Sequence, residues 1–163
     1  MKTYTTHDIK NVVLLGAPGS GKTTFAEAMA FEGKVIDRRG SIENENTLSD
    51  NTDLEHSNRR SIYSTILYTE FMNHKLNIID APGSDDFSGG LFAAFKVADV
   101  GLMLFNAQNG FEVGSEIQSR YAKTYNVPLV GVINQLDSEK ANWEGTLESI
   151  ASFSKVKPIV VQY

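Results

Sequence analysis

The chain has 163 residues, 41% of them hydrophobic, and a formal net charge of −5 at pH 7. This size and apolar content fit one domain with a single core, and the acidic balance argues against a surface that coats nucleic acid. The sequence contains no cysteine, which excludes disulfides and thiolate metal sites. The amino terminus lacks the apolar core of a signal peptide, and the most apolar stretch, residues 91–105, is interrupted by Lys96 and Asp99. We therefore expect a cytoplasmic domain with no membrane partner.

Short apolar runs alternate with segments of helical period along the chain. The apolar runs predict strands at residues 11–16, 75–80, 100–105, 127–134 and 157–162, the last being KPIVVQ. The intervening segments predict helices at Thr23–Phe31, Gly90–Ala98, Ser115–Tyr125 and Ala141–Ser154. This alternation is typical of an α/β fold, a mostly parallel sheet with helices on both faces.

Two further segments depart from that alternation. Residues Ile62–Glu70 and Lys75–Ile79, joined around residues 72–74, predict a hairpin that adds one antiparallel strand. The preceding segment, Gly40–Ser61, is polar and acidic and has few large apolar residues to pack. We expect this segment to be mobile unless a ligand or partner orders it.

A glycine-rich stretch follows the first predicted strand. Gly16–Thr23, GAPGSGKT, matches the pattern GxxxxGKS/T between a strand and a helix. Its glycines let backbone N–H groups converge on phosphate oxygens, and the helix start adds the positive end of a dipole. Lys22 would neutralise the β- and γ-phosphates, and the Thr23 hydroxyl would bind Mg²⁺. The stretch therefore predicts a nucleotide site; the alternative is a glycine-rich turn with a surface lysine.

Two later motifs follow apolar strands. In DAPG, Asp80 would hold Mg²⁺ through water, and the Gly83 N–H would reach a γ-phosphate. NQLD occupies residues 134–137, where the Asp137 carboxylate can accept hydrogen bonds from N1–H and the 2-amino group of guanine. Adenine lacks this donor pair, while Asn134 would brace the loop. The order of the three motifs predicts guanine nucleotide binding.

The ordered set GAPGSGKT, DAPG and NQLD resembles a GTPase G domain. DAPGSDDF at residues 80–87 is similar to the DTPGHxDF of translation factors, specifically elongation factor G. Arg59–Ile62 falls where that family has ERGIT, and AQNGFEVGSE at residues 107–116 is similar to its AxxGxxxxSE stretch. The resemblance covers nearly the whole chain. It implies a P-loop NTPase fold of the Ras-like type, bound GTP or GDP with Mg²⁺, and action on the ribosome during translocation.

The family also has domains after the G domain, and a base-binding SAK/L loop that does not occur before Tyr163. We therefore expect residues 1–163 to be an amino-terminal, monomeric G-domain fragment of a longer multidomain factor. The resemblance implies one set of nucleotide-binding residues, of which Thr23 and Asp80, the latter through water, would also serve the metal. The set is Gly16, Ala17, Pro18, Gly19, Ser20, Gly21, Lys22, Thr23, Thr24, Asp80, Ala81, Pro82, Gly83, Ser84, Asn134, Gln135, Leu136 and Asp137.

Four positions depart from the family pattern. Ser84 stands where the family has a water-orienting histidine, and Tyr63 stands where a switch I threonine would bind Mg²⁺. Gln135 replaces the lysine of NKxD, and Gly19 replaces the P-loop aspartate. Thr65 is a possible substitute for the missing threonine. We expect nucleotide binding to be retained and hydrolysis to be weak or absent, with no confident catalytic residue.

Three alternatives stay open at the level of sequence. The chain could be an active GTPase in which Asp85 or a ribosomal group positions water. It could be a degenerate module that docks on the ribosome without nucleotide. It could also be an unrelated P-loop ATPase or kinase, which a preference for guanine would exclude.

Overall fold

A computed structural model describes residues 3–58, 61–83 and 88–162. The strands are β1 (Ile9–Leu15), β2 (Thr65–Phe71), β3 (His74–Asp80), β4 (Val100–Asn106) and β5 (Leu129–Asn134). A short 3-10 helix at Thr6–Asp8 precedes helices α1 (Lys22–Glu32), α2 (Asp53–Asn58), α3 (Ser88–Val97), α4 (Val113–Thr124) and α5 (Trp143–Ser154). The four predicted helices and the predicted hairpin are present. No helix within the described ranges is both long and apolar enough to span a bilayer.

The five strands form one sheet in the order β2-β3-β1-β4-β5. β1 runs parallel to β3 and β4, β4 runs parallel to β5, and only β2 is antiparallel, to its neighbour β3. This confirms a mostly parallel sheet with one antiparallel strand. The register pairs Leu14 with Asp80, so the loops that follow β1 and β3 leave the sheet side by side.

The central strand β1 is buried on both faces of the sheet. Val13 and Leu15 pack with Phe95 of α3 and with Met103, on the face that α3 and α4 cover. On the other face, Val12 and Leu14 join Ala26 of α1. Burial on both sides explains why the sequence of β1 is a continuous apolar run rather than an alternating one.

The predicted strand at residues 157–162 is absent, and that prediction is wrong. The structure has no strand there, and Ile159 and Val161 are 86% and 87% exposed. A run of β-branched residues gives a propensity to be extended, but a strand exists only through hydrogen bonds to a neighbour. The run makes no such pairing along the edge strand β5 among the described residues.

The segment before β2 contains α2, which the sequence reading did not predict. Thr52 and Glu55 bond reciprocally: the Glu55 N–H donates to Thr52 Oγ1 and the Thr52 N–H donates to Glu55 Oε2, both at 3.3 Å. This is a capping box, and its signature TDLE is legible in the sequence. Thr47 and Ser49 are also buried. The segment therefore packs through polar groups rather than through apolar residues, and its mobility stays a prediction.

Candidate nucleotide-binding site

The loop between β1 and α1 depends on glycines with left-handed backbone angles. Gly16, Gly19 and Gly21 have φ values of 134°, 77° and 91°, a region that side chains rarely permit. A Cβ atom on Gly16 would lie 2.4 Å from the carbonyl oxygen of Leu104. The loop can therefore run this close to β4 only with glycine at its start.

Side chains from several elements tie back the carbonyl groups of this loop. Lys22 Nζ donates to Gly16 O at 2.9 Å and Ala17 O at 3.0 Å, Gln135 Nε2 to Gly19 O at 2.9 Å, and Asn134 Nδ2 to Ser20 O at 3.0 Å. Four carbonyl groups of the loop are thus bonded from within the protein.

Four backbone donors at the helix end of the same loop are left open. Gly21 is the N-cap of α1, with no side-chain capping bond. The N–H groups of Gly21, Lys22, Thr23 and Thr24 have no acceptor among the described residues. The first N–H groups of a helix lack intrahelical partners and carry its positive dipole end. Because these four N–H groups are open while four carbonyls of the loop are bonded, the helix end of the loop presents a surface of donors, which suits phosphate oxygens.

Gln118 of α4 braces the start of the loop. The Gly16 N–H donates to Gln118 Oε1 at 2.6 Å, and Gln118 Nε2 donates back to Gly16 O at 3.4 Å. Gln118 is fully buried, so water cannot replace the two hydrogen bonds that its amide oxygen and nitrogen make. Sequence reasoning missed this residue because a lone glutamine in a helix gives no signal of its function.

Lys22 is buried beneath the loop. Burial lowers the pKa of Lys22 to about 8, against the opposing attraction of Asp80, Glu112 and Asp50. A buried ammonium group has lost most of its hydration, so a negative charge that approaches it stabilises its charged form. Gly83 of DAPG lies against this ammonium, since a Cβ there would be 2.4 Å from Lys22 Nζ. The two predicted phosphate-facing motifs therefore meet at Lys22.

Thr23 and Asp80, the two residues predicted to serve the metal, lie next to each other. Thr23 Oγ1 donates to Asp80 Oδ2 at 2.9 Å. Asp80 is 1% exposed, and its Oδ1 has no hydrogen-bond partner among the described residues. Burial raises the pKa of Asp80, although the hydroxyls of Ser49 and Thr23 and the charge of Lys22 oppose the rise. A hydroxyl beside a buried carboxylate with a free oxygen fits Mg²⁺, which prefers oxygen ligands.

No group of three acidic, histidine or cysteine side chains within the described ranges could hold a metal alone. This fits Mg²⁺, which usually combines one or two protein carboxylates with water and substrate phosphates. The remaining ligands would therefore come from a nucleotide and solvent.

The loop after β5 lies next to the phosphate loop. Asn134 and Gln135 reach its carbonyls, and Gln135 has a left-handed φ of 61° that turns the chain out of the strand. Asp137 is exposed, and its carboxylate bonds to no described residue. The structure thus brings NQLD to the predicted cleft and leaves its carboxylate free.

Two glutamates that the sequence reading missed hold the Gly40–Ser61 segment. Glu27 of α1 is buried and accepts from the Gly40 N–H at 2.9 Å and from the Leu48 N–H. Glu55 Oε1 accepts from the N–H groups of Ile62 and Tyr63, each at 3.1 Å. Buried carboxylates that accept several backbone donors fix a loop whose own backbone has few other partners.

Tyr63, at the position of the family's switch threonine, and Thr65, its possible substitute, have different surroundings. The side chain of Tyr63 is 57% exposed. Thr65 Oγ1 donates to the Ser49 carbonyl at 2.9 Å, so the possible substitute ligand is engaged in holding the segment. Ser84, like Asp85 and the arginine pair at residues 59–60, lies outside the described residues.

The family profile described as Elongation factor Tu GTP binding domain matches residues 7–160. The chain belongs to this family. It is 32% identical over 161 residues to elongation factor G of Dehalococcoides mccartyi, covering 99% of this chain and 23% of that protein. It is also 32% identical over 153 residues to an elongation factor G-like protein of Mycobacterium tuberculosis, covering 93% of this chain and 21% of that protein.

A crystal structure of a Thermus thermophilus protein is similar in fold, with a TM-score of 0.85 at 32% identity, covering 88% of this chain and 22% of that one. The resemblance read from the motifs is thereby confirmed: the chain is a G domain of the elongation factor G family. It spans less than a quarter of the length of the relatives named here.

Proposed function

We propose that this chain is the guanine-nucleotide-binding domain of a cytoplasmic translation elongation factor that acts on the ribosome in translocation, with impaired GTP hydrolysis. The observation that carries the proposal is the phosphate loop. Its carbonyls are bonded to Lys22, Asn134 and Gln135, and its helix-terminal N–H groups are open. The ribosome as partner is supported by relatives named elongation factor G.

In this proposal different residues bind the phosphates, the metal and the base of the nucleotide. The open N–H groups of the loop and Lys22 take the β- and γ-phosphate oxygens. Bound Mg²⁺ would neutralise charge on those phosphates, with the Thr23 hydroxyl as a ligand and Asp80 reaching it through water. Asn134 Nδ2 donates to the Ser20 carbonyl at 3.0 Å and so holds the NQLD loop against the phosphate loop. The Asp137 carboxylate is then left to accept hydrogen bonds from guanine.

Impaired hydrolysis is proposed because the chain lacks the usual groups for orienting water. Serine at position 84 has no titratable group near neutral pH, unlike the histidine of the family. The position of the missing switch threonine is taken by Tyr63, whose side chain is mostly exposed. Groups that bind phosphate are retained, so binding is expected to survive where turnover does not.

Titration of the chain with GDP, GTP and ATP tests the binding proposal. We expect both guanine nucleotides to bind more tightly than ATP, and Asp137→Ala to remove that preference because guanine's donors lose their acceptor. The matched control is Glu139→Ala, an exposed acid two residues away, which should keep the preference. Equal affinity for ATP, or no nucleotide binding at all, would refute the proposed function.

A further inference from the structure

Two of the four positions that depart from the family pattern are in contact. Gln135 Nε2 donates to the carbonyl of Gly19 at 2.9 Å, across 116 positions of the sequence. The family pattern has an aspartate at position 19 and a lysine at position 135, so two residues of opposite charge are replaced here by a glycine and a neutral amide. The hydrogen bond joins both replacements at the junction of the phosphate loop and the NQLD loop.

The neighbouring amide makes the same kind of contact. Asn134 Nδ2 donates to the Ser20 carbonyl at 3.0 Å, so two successive side chains bond to two successive carbonyls. A Cβ atom on Gly21 would lie 2.4 Å from Asn134 Nδ2 and 3.9 Å from Gln135 Nε2, which leaves no room for a side chain between the two loops. The NQLD loop is therefore fastened directly to the phosphate loop.

The space beside Gly19 is open. Gly19 is exposed, and apart from its chain neighbours no described residue has an atom within 4 Å of its Cβ position. Its φ of 77° is left-handed, a conformation that aspartate and asparagine tolerate better than other residues with side chains. An aspartate would therefore fit at this position, and its effect on the site would come from its charge.

A lone carboxylate at position 19 would oppose nucleotide binding. The loop binds phosphate oxygens in the proposed function, and like charges repel each other unless a cation lies beside them. Lys22 Nζ is already bonded to the carbonyls of Gly16 and Ala17, and the amide of Gln135 carries no charge. A lysine at position 135 could donate to the same carbonyl and also supply the cation. Glycine at position 19 is thus matched to glutamine at position 135.

We propose that Gly19 and Gln135 act as one neutral unit in nucleotide binding, so that the effect of substituting either residue depends on the other. The proposal rests on the proposed function. In this unit Gln135 is a positioning residue, because its bond to Gly19 holds the NQLD loop, and with it the Asp137 carboxylate, against the phosphate loop. The glutamine keeps the bond that joins the loops and leaves out a charge that glycine at position 19 would not balance.

A double-mutant cycle on GDP affinity tests this dependence. Gly19→Asp and its uncharged counterpart Gly19→Asn are each measured with and without Gln135→Lys, so that charge is separated from the shape of the side chain. Gln135→Lys should improve affinity about tenfold more in the Gly19→Asp background than in the Gly19→Asn background, which is within the range of coupled neighbours. Equal improvement in both backgrounds overturns the proposal, because independent changes are additive.

Salt and position supply two controls. The deficit of Gly19→Asp relative to Gly19→Asn should shrink as sodium chloride is raised, because salt screens exposed charges. A deficit that salt leaves unchanged overturns the proposal. Gly89→Asp adds the same charge at another exposed glycine whose Cβ would point into open space. Gln135→Lys should gain no extra affinity in that background, and a gain equal to that with Gly19→Asp would overturn the proposal as well.

Guanine preference tests the positioning role. Gln135→Ala removes the bond to Gly19 and should lower the ratio of GDP affinity to ADP affinity, whereas Gln135→Lys retains a donor and should rescue the ratio. Loss of stability alone, measured by urea unfolding, would weaken the binding of both nucleotides alike. An unchanged ratio in Gln135→Ala overturns the positioning role. Wild-type chain that binds no nucleotide refutes the proposed function, whereas guanine binding with additive substitutions refutes this proposal alone.

Discussion

The side-chain amide of Gln118 and the backbone of Gly16 exchange two hydrogen bonds, at 2.6 Å and 3.4 Å, between α4 and the start of the phosphate loop. Gln118→Leu keeps the approximate volume but leaves the Gly16 N–H buried without an acceptor. We expect a loss of about 1–3 kcal/mol in the free energy of unfolding, and weaker GDP binding because the loop is no longer held. Urea unfolding and GDP titration measure the two effects. Gln108→Leu, at an exposed glutamine, should change neither; equal effects in both variants would contradict this role.

Local motifs explain why much of the site was predictable. The backbone conformation of Gly16–Thr23 depends on glycines within the motif itself. The apolar runs of β1 and β3, which pair in the sheet, are recognisable in the sequence as strands. Gln118 and Gly16 are 102 positions apart in sequence, and nothing near either residue indicates the other. Buried polar contacts of this kind depend on tertiary packing, which residue types alone do not specify.

The errors in the sequence reading have the same origin. Residues 157–162 have the composition of a strand. Whether they form one depends on hydrogen bonds to an adjacent strand, which their own composition does not determine. The Gly40–Ser61 segment has few large apolar residues, and its packing comes from Glu27 and Glu55 accepting backbone donors. Only the capping box at Thr52 was legible, and recognising it would have predicted α2.

Nucleotide affinity should depend on pH through Lys22. Burial holds the pKa of Lys22 at about 8, and a bound phosphate would raise it by favouring the charged ammonium. Above this pKa, binding therefore takes up a proton. GDP affinity should be highest at pH values below the pKa and should fall as the pH rises through it, by up to roughly tenfold near pH 9. GDP titrations at several pH values measure this. Lys22→Arg, whose guanidinium stays charged, should bind with little pH dependence; an equally steep dependence in that variant would exclude Lys22 as the cause.

Glu55 should control the order of the chain before β2. Glu55→Ala removes the acceptor of the Ile62 and Tyr63 N–H groups, which donate to it at 3.1 Å. Amide exchange at both positions should become faster, and the free energy of unfolding should fall by about 1.5–3 kcal/mol because these are hydrogen bonds to a charged group. Glu43→Ala, at an exposed position of the same segment, is the control and should leave exchange unchanged.

The same carboxylate predicts a response to acid. Burial by itself would raise the pKa of Glu55, but bonds from Ile62, Thr52 and Tyr63 together hold it below the ordinary value of 4.5. Its stabilising contribution is therefore present above pH 4.5 and is lost as the pH falls through the lower folded pKa. Wild-type and Glu55→Gln chains should accordingly become similar in stability at low pH. A difference that persists unchanged in acid would show that charge is not the cause.

Hydrolysis should be slow because serine occupies position 84. In-line attack on a γ-phosphate needs a water that is held and oriented, and the histidine of the family reaches well beyond its Cβ to do so. The serine hydroxyl oxygen is the first side-chain atom after Cβ, and the hydroxyl does not titrate near neutral pH. Loss of such a group typically costs about 10²–10⁴ in rate, or roughly 3–5 kcal/mol of barrier.

Lys22, Thr23 and Asp80 contact the ground state as well as the transition state in this proposal, so nucleotide affinity should be nearly unchanged by Ser84→His. Turnover should rise in that variant, measured as phosphate release with ribosomes present. The rise should stop short of full activity, because Tyr63 remains mostly exposed and supplies no switch hydroxyl to the metal. Ser84→Ala is the matched control and should behave as the wild type does. Rapid multiple turnover by the wild-type protein, at the rate of an ordinary elongation factor G, would show that another group orients the water and that the serine is no impairment.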